Sequence, residues 1–239
     1  MTTKKVLIDG DVLAYRAAFS TQNLGSDAAI YKIEELISYV LESTLTLPFF
    51  PSKDNTSQYF QVYLTGKGNF RFSVSEIYKA NRAGGERPKH IDHIRQHMID
   101  NWGAIVSLGE EADDLIAIEA TRLGKENVIV ASIDKDMLQI PGYHFNITKR
   151  TTDYVDDFSG MKFFYTQILT GDKVDNVIGL KGVGPVTAKN LLMYCNTEEE
   201  LWKAVVDAYE GDTERVICNA RLLWLRRKEE ELWEPPKFN

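Results

Sequence analysis

The sequence predicts an α/β protein with a mainly parallel central sheet flanked by helices, followed by a helical C-terminal part. From residue 5 to residue 133, short apolar runs of strand length alternate with helical patterns, which is typical of βαβ units. From about residue 158 onward, the apolar spacing is helical. We therefore expect an α/β body over residues 1–157 and a helical subdomain over residues 158–239.

Four apolar runs in the first part have the length of buried strands. They are KVLI at 5–8, QYFQVYL at 58–64, AIVSL at 104–108 and NVIVASI at 127–133. Helical patterns lie between them at 30–41, 92–102 and 112–123, and the proline-flanked stretch 47–57 is typical of a loop. In the second part we expect helices at 161–170, 185–194, 197–209 and 213–231.

Composition argues against several classes of protein. A chain of 239 residues can bury a sizeable core, and no uninterrupted apolar stretch approaches the ~20 residues of a membrane helix. The start, MTTKKVLIDGD, lacks the apolar core of a signal peptide, and two cysteines are too few for a disulfide framework or a zinc site. We expect a soluble, monomeric, cytoplasmic protein without a membrane partner.

Acidic residues directly follow three of the predicted strands. Asp9 follows KVLI, Asp134 and Asp136 follow VIVASI, and the GEEADD stretch after AIVSL contains Glu111, Asp113 and Asp114. The carboxyl ends of parallel strands meet at one edge of a sheet, where such folds bind their ligands. Carboxylates gathered there would repel one another unless cations neutralised them, and oxygen ligands suit Mg²⁺ or Mn²⁺. The pattern predicts a divalent-metal site.

Each acidic group also has an ordinary structural explanation. Residues 110–114 could favour the N-terminal dipole of the next helix, the acids after VIVASI could cap a turn, and DGD at 9–11 could end a strand. The recurrence after three strands favours the metal site. Asp172 and Asp175 lie one helical turn apart and could complete a second metal position.

A glycine-punctuated turn follows these last acids. In GLKGVGPVTAKNLL, Gly182 and Gly184 permit turn conformations closed to other residues, and Pro185 can begin a helix. Backbone N–H groups at such a turn can hold a phosphate, and Lys181 and Lys189 flank it. An ordinary helix-turn-helix corner is the alternative. Metal-binding acids beside a phosphate-binding turn indicate phosphodiester hydrolysis.

Five motifs, in order, resemble those of the 5′-nucleases: flap endonucleases, the 5′ nuclease domains of bacterial DNA polymerases, and phage 5′ to 3′ exonucleases. The motifs are LIDGD (7–11), YKANR (78–82), EEADD (110–114), SIDKD (132–136) and GDKVDNVIGLKGVGPVTA (171–188). The phage-encoded members look most similar. The resemblance implies a PIN-like 5′-nuclease fold, a two-metal nuclease acting on DNA near 5′ ends, and a helix-three-turn-helix at about 168–195 that grips the duplex.

The resemblance also implies roles for individual residues. Lys79 and Arg82 match basic residues near the scissile phosphate, and the backbone around Val183, between Gly182 and Gly184, matches the turn that binds duplex DNA, often with K⁺. The carboxylates that match the family's metal site are Asp9, Glu111, Asp113, Asp114, Asp134, Asp136, Asp172 and Asp175. Leaving these eight out changes the formal net charge from −7 to +1, so the acidic pI near 5.2 is compatible with a DNA partner.

The segment 67–97 matches the arch that covers the site in the family. Its basic residues stand among aromatic ones and suit a path for single-stranded nucleic acid, and they include Lys67, Arg71, Arg87 and Lys89. A solvated, charged helix face is the alternative. His90, His93 and His97 share a helix face, although no further metal ligand is evident near them.

One departure from the family concerns an aspartate that usually follows the second strand. Here VYLTGKGNFR offers only Thr65 and Gly66, and we align the missing acid with Gly66, which predicts a weakened metal position. Two other functions therefore remain open. One is a branched-DNA-binding protein with a weakened or inactive nuclease site. The other is an RNA-directed enzyme, either an RNase H-like nuclease that removes primers from RNA–DNA hybrids or a toxin-like ribonuclease with the same acidic α/β site.

Overall fold

The computed structural model describes residues 4–47, 59–82 and 84–238, and its centre is a six-stranded sheet. The strands are β1 (Lys5–Asp9), β2 (Phe60–Lys67), β3 (Ile105–Leu108), β4 (Val128–Ser132), β5 (Gly142–Asn146) and β6 (Thr151–Val155). They run in the order β3-β2-β1-β4-β5-β6, and every neighbouring pair is parallel except β5 with β6. The predicted mainly parallel α/β fold is confirmed.

Helices cover both faces of this sheet. They are α1 (Gly10–Ser20), α2 (Ser26–Leu45), α4 (Ile91–Trp102) and α5 (Ala112–Leu123), while the one-turn helix α3 (Arg71–Val74) follows β2 and packs against the C-terminal part. Apolar residues of α1, α2 and α4 share a core with Val6 and Ile8 of β1, whereas those of α5 pack with Leu7 on the other face. Because successive strand residues point to opposite faces, a strand covered on both sides needs an unbroken apolar run such as KVLI.

The chain after β6 is mainly helical, as the sequence predicts. Its helices are α6 (Asp157–Thr170), α7 (Pro185–Leu191), α8 (Glu198–Ala208) and α9 (Thr213–Leu223), and the two-residue strands β7 (Gly171–Asp172) and β8 (Val177–Ile178) pair between α6 and α7. Ring centroids of Trp224 and Trp233 lie 4.8 and 5.7 Å from that of Phe164, so both tryptophans belong to the core of this part.

Several elements differ from the sequence prediction. The acids at 9–11 do not merely end a strand, because Asp9 caps α1, whose buried Leu13, Ala14, Ala17 and Ala18 have helical spacing. The β5–β6 hairpin was not predicted, and α9 ends at Leu223 rather than at residue 231. The predicted loop at 47–57 falls almost wholly outside the described residues.

The strand order places a crevice above the middle of the sheet. The chain adds β2 and β3 on one side of β1 and then β4 and β5 on the other, so β1 and β4 border the switch point at which α/β sheets bind ligands. No helix in the described part is long and apolar enough to cross a membrane.

Candidate active site

A pocket of about 970 Å³ opens at the carboxyl ends of β1, β2 and β4. Seven of the eight predicted metal-site carboxylates line it: Asp9, Glu111, Asp113, Asp134, Asp136, Asp172 and Asp175. Five basic residues from the segment 67–97 line the same pocket: Lys67, Lys79, Arg82, Arg87 and Arg95. The strands and the helices thus gather acids and bases that are far apart in the sequence.

Asp9 is the most buried carboxylate of the pocket, with 2% of its surface exposed. It ends β1 and accepts hydrogen bonds from the Ser132 hydroxyl at 2.6 Å and from the Val12 backbone N–H at 3.2 Å. Burial nevertheless raises the pKa of Asp9 to about 6, and the negative charges of Asp11 and Asp134 add to the shift. The site therefore holds a carboxylate whose charge is poorly compensated.

Asp113 lies in the first turn of α5 and faces the same crevice. Burial, followed by the charges of Asp9, Glu111 and Asp134, raises the pKa of Asp113 well above its usual range. Within the described residues, no lysine, arginine or histidine forms an ion pair with Asp9, Asp113 or Asp134. These three carboxylates are the part of the site without ion pairs, and Asp134 is the one of the three that is exposed to solvent.

Basic side chains form ion pairs with the other carboxylates of the pocket. Lys79 Nζ pairs with Glu111 and lies 3.6 Å from Asp175, which also accepts a hydrogen bond from Arg82. The Tyr78 hydroxyl lies 2.9 Å from carboxylate oxygens of both Glu111 and Asp175. Burial and these neighbouring charges raise the pKa of Tyr78, so its hydroxyl stays protonated and can donate to either carboxylate.

Lys135 forms ion pairs with two further carboxylates of the pocket. Its ammonium group contacts Asp136 at 2.8 Å and also forms an ion pair with Asp172. Burial alone would raise the pKa of Asp172, but the hydrogen bond and the charge of Lys135 outweigh it, so that pKa lies below its usual range. Across the described residues, no three acidic, histidine or cysteine side chains are arranged to hold a metal ion as they stand, and this holds for Asp9, Asp113 and Asp134 as well as for the paired acids.

The prediction that Asp114 belongs to the metal site is wrong. Asp114 is fully buried and forms two hydrogen bonds with the guanidinium group of Arg71, at 2.7 and 2.9 Å. It also accepts the backbone N–H groups of Arg226 and Glu111. Neighbouring residues on a helix point about 100° apart, so Asp113 faces the pocket while Asp114 points into the protein.

The prediction that Arg71 contacts DNA is wrong for the same reason. Arg71 is only 2% exposed, and besides Asp114 it donates hydrogen bonds to the backbone carbonyl groups of Leu222 and Trp224. All these partners are buried or partly buried, so the guanidinium group has no face left for a phosphate. Arg71 instead joins the α/β body to the end of α9.

The alignment of the missing family acid with Gly66 is also wrong. A Cβ atom at Gly66 would lie 1.9 Å from the carbonyl oxygen of Ser107 in the neighbouring strand, so no side chain fits there. Thr65, not Gly66, accepts the Ala112 backbone N–H, at 3.0 Å, through its hydroxyl. Both residues line the pocket, but only Thr65 can present a side chain to it.

Sequence reasoning missed Asp11, the second acid of DGD. Asp11 lies in the first turn of α1, lines the pocket, and accepts the backbone N–H of Thr65 at 2.8 Å. It also forms an ion pair with Arg95, which in turn donates to the Thr65 carbonyl group. Asp11 therefore lies at the end of β2. Its position two residues after Asp9, in the same motif, was the feature of the sequence that could have indicated its place in the pocket.

Gly66→Ala should lower the free energy of unfolding by at least about 2 kcal/mol, because β2 and β3 must separate to admit the new methyl group. Chemical denaturation measures the change. Gly25→Ala is the control, since a Cβ atom there meets nothing within 4 Å and the change at the N-cap of α2 should cost less than about 1 kcal/mol. A Gly66→Ala protein as stable as the control would contradict the close contact with Ser107.

The remaining predicted DNA-binding residues lie on the surface. Lys67 and Arg87 line the pocket, whereas Lys89 is exposed and lies outside it. In the turn before α7, Lys181, Gly182 and Gly184 are exposed, and Lys189 is exposed on α7 itself. Val183 is half-buried, and Gly182 adopts a left-handed backbone with φ of +82°. The sequence reason for a glycine at 182 therefore holds.

The histidines do not form a site. His90 lies 3.0 Å from the Leu24 carbonyl group, and His97 pairs with Glu34 at 2.5 Å. Each anchors α4 to a different neighbour, so they do not converge on a common point.

Known structures with this fold include a nuclease of a phage. The structure of the bacteriophage T5 flap endonuclease in complex with DNA and metal ions superposes with a TM-score of 0.65 over 91% of this chain and 88% of that chain, at 17% sequence identity. At this identity the likeness establishes the fold, which is that of a flap endonuclease.

The family follows from the sequence comparison. Residues 4–173 match the family described as 5′-3′ exonuclease, N-terminal resolvase-like domain, and the chain belongs to this family. It is 30% identical over 220 residues to the 5′-3′ exonuclease of Mycoplasma genitalium, covering 83% of this chain and 75% of that protein. It is 31% identical over 233 residues to DNA polymerase I of Bacillus caldotenax, covering 89% of this chain but only 26% of the polymerase.

Proposed function

We propose that the chain is a divalent-metal-dependent nuclease that hydrolyses DNA phosphodiester bonds near 5′ ends, as a 5′ to 3′ exonuclease or flap endonuclease. One observation carries the proposal: a single pocket combines Asp9, Asp113 and Asp134, which have no cationic partner among the described residues, with basic residues that suit a phosphate. Membership of the 5′-3′ exonuclease family supports the same reaction.

The uncompensated carboxylates fit a hard cation. Asp9 is almost fully buried with no positive partner in the described part of the chain, an arrangement that costs free energy unless an ion or a proton neutralises it. Asp9, Asp113 and Asp134 would hold one Mg²⁺ or Mn²⁺, and Asp136 with Asp172 would hold a second. Such ions supply polarisation of the scissile phosphate and make water acidic enough to attack at neutral pH.

Lys79 and Arg82 would position the scissile phosphate and offset its developing charge. Both line the pocket, and both now contact carboxylates that they can exchange for a phosphate oxygen. Lys79 has a φ of +54°, uncommon for a residue with a side chain, and its backbone N–H donates to the Asp175 carbonyl group at 2.9 Å. The strained backbone supports a functional role for this lysine.

Residues 179–185 would hold the duplex next to the pocket, as the family resemblance implies. Gly182 and Gly184 leave the backbone of this turn accessible, Lys181 and Lys189 are exposed beside it, and K⁺ could bridge it to a DNA phosphate. The 5′ strand would then pass the basic segment 67–97 on its way to the acids. An RNA strand paired with DNA is a further substrate to test.

Cleavage of a 5′-labelled flap substrate tests the proposal. The blunt duplex and the matched RNA–DNA hybrid are run beside it, each with Mg²⁺, with Mn²⁺ and with chelator. We expect metal-dependent cleavage near the junction, leaving a 5′-phosphate on the new end. Tight flap binding without cleavage under either metal would overturn the proposal in favour of a branched-DNA-binding protein.

Lys79→Ala should slow single-turnover cleavage by about 100-fold or more, since it removes a positive charge aimed at the phosphate. Its effect on the Kd for the flap duplex should stay below about fivefold, because the duplex is held elsewhere. Lys203→Ala, an exposed lysine on α8, is the control and should change neither value. Equal losses in rate and affinity would make Lys79 a general phosphate contact instead.

A further inference from the structure

Five acids of the pocket form two sets that differ in charge compensation, while Asp11, Glu111 and Asp175 pair with basic residues of the segment 67–97. Asp9, Asp113 and Asp134 have no ion-pair partner among the described residues, whereas Asp136 and Asp172 share the ammonium group of Lys135. The two sets are adjacent, because Asp134 and Asp136 flank Lys135 in the turn after β4. The same turn therefore supplies acids to both sets and a cation to only one of them.

Lys135 is held between two separate segments of the fold. Asp136 belongs to the short 3-10 helix Lys135–Gln139, and Asp172 belongs to β7. The side chains of the two acids are 18% and 4% exposed, so the single ammonium group is shared by two carboxylates that water reaches poorly. A single lysine thus occupies the space between the two acids.

Both acids also accept hydrogen bonds from other donors of the protein. Asp136 accepts the side-chain amide of Gln167 at 2.6 Å, and Asp172 accepts the backbone N–H of Val174 at 2.7 Å. With Lys135, these bonds give both acids partners from the protein itself, although burial and the charge of Asp134 still raise the pKa of Asp136. An incoming cation must therefore compete with donors of the protein itself.

The competition is reversible because of the form of the lysine side chain. The side chain of Lys135 is 58% exposed, and its flexible four-carbon stem can carry the ammonium group into water at the cost of its contacts with Asp136 and Asp172. A divalent ion brings twice the charge to the same carboxylates. Lys135 can thus be displaced, but the displacement subtracts from the binding free energy of the ion.

We propose that Lys135 is a built-in competitor for the second metal position, so that one divalent ion binds first at Asp9, Asp113 and Asp134 and a second binds at Asp136 and Asp172 only after displacing the Lys135 ammonium group. The inference rests on the proposed metal-dependent function and adds to it an order of binding. It gives the protein two metal affinities that differ, the weaker one being set by a lysine.

Calorimetric titration with Mn²⁺ in the absence of DNA tests this inference without measuring activity. The wild-type protein should bind one Mn²⁺ tightly and a second at least about tenfold more weakly. Lys135→Ala and Lys135→Met should tighten the second site by about tenfold or more and leave the first unchanged. Lys135→Met keeps most of the aliphatic stem, which separates loss of charge from loss of packing.

Lys173→Ala is the matched control, since this exposed lysine lies next to Asp172 in the chain and forms no ion pair in the described structure. It should leave both affinities at their wild-type values. Two equally tight sites in the wild-type protein, or a second site that neither Lys135 variant tightens, would overturn the inference and leave the nuclease proposal standing. A wild-type protein that binds no Mn²⁺ would overturn the metal-dependent function as well.

Discussion

Asp113→Ala and Asp134→Ala should each lower the rate of flap cleavage by at least about 1000-fold while the protein remains folded. Both carboxylates line the pocket, and neither has an ion-pair partner in the described part of the chain. Removing one would therefore remove a proposed ligand for the cation without leaving a buried charge unpaired. Single-turnover cleavage of the 5′-labelled flap, with Mg²⁺ in excess, measures the loss.

Stability should respond differently in the two variants. Loss of Asp113 removes a charge that Asp9, Glu111 and Asp134 repel, so without metal the free energy of unfolding should hold or rise. Asp134 caps the following 3-10 helix by accepting the Asp136 N–H, and losing the cap should cost about 1 kcal/mol. Asp207→Ala, on the exposed face of α8, should alter neither rate nor stability. Wild-type cleavage by both pocket variants would refute their assignment to the site.

Asp114→Ala should instead lower the free energy of unfolding by about 3–5 kcal/mol, although Asp114 directly follows Asp113 in the chain. The substitution leaves the buried guanidinium group of Arg71 without its carboxylate and exposes no new ligand site. Urea denaturation of the metal-free protein measures the loss. Asp114→Asn, which keeps the side-chain volume and one acceptor, should lose less than Asp114→Ala.

The control for this ion pair is Arg122→Ala, which breaks an exposed pair with Glu119 and should cost less than about 0.5 kcal/mol. The buried pair of Arg71 and Asp114 should also make the free energy of unfolding depend on pH in the acid range. Burial raises the pKa of Asp114, but the charge and hydrogen bonds of Arg71 outweigh it and hold the pKa below 3.8. Its stabilisation is therefore present above that pH and is lost as pH falls below it. A loss under 1 kcal/mol in Asp114→Ala would contradict a structural role.

Local sequence predicted the strands and the crevice because each depends on adjacent residues. An apolar run such as KVLI must be buried on both faces, and parallel strands bring the residues at their carboxyl ends to one edge of the sheet. Asp9, Asp113 and Asp134 therefore reached the pocket as expected. The apolar spacing after residue 11 also indicates the helix α1. This helix was not predicted, because DGD at 9–11 is equally typical of a turn that ends a strand.

The end of α9 shows where local pattern fails. Helical spacing continues past Leu223, yet the backbone N–H groups of Leu225 and Arg226 donate to the side chains of Gln139 and Asp114. These acceptors lie 86 and 112 residues away in the chain. Hydrogen bonds to distant side chains therefore take the place of helical ones after Leu223. Residues 213–231 contain no feature that predicts these bonds.

The sequence by itself determined that acids would gather at one edge of a parallel sheet, since that depends on strand order and apolar runs. Only the tertiary structure decided which of those acids carry uncompensated charge. Arg71 reaches Asp114 across 43 positions and Lys135 reaches Asp172 across 37, so the pairing depends on how distant segments meet. Asp113 and Asp114 are adjacent residues of the same type, but helix geometry directs Asp113 toward the pocket and Asp114 toward the buried Arg71.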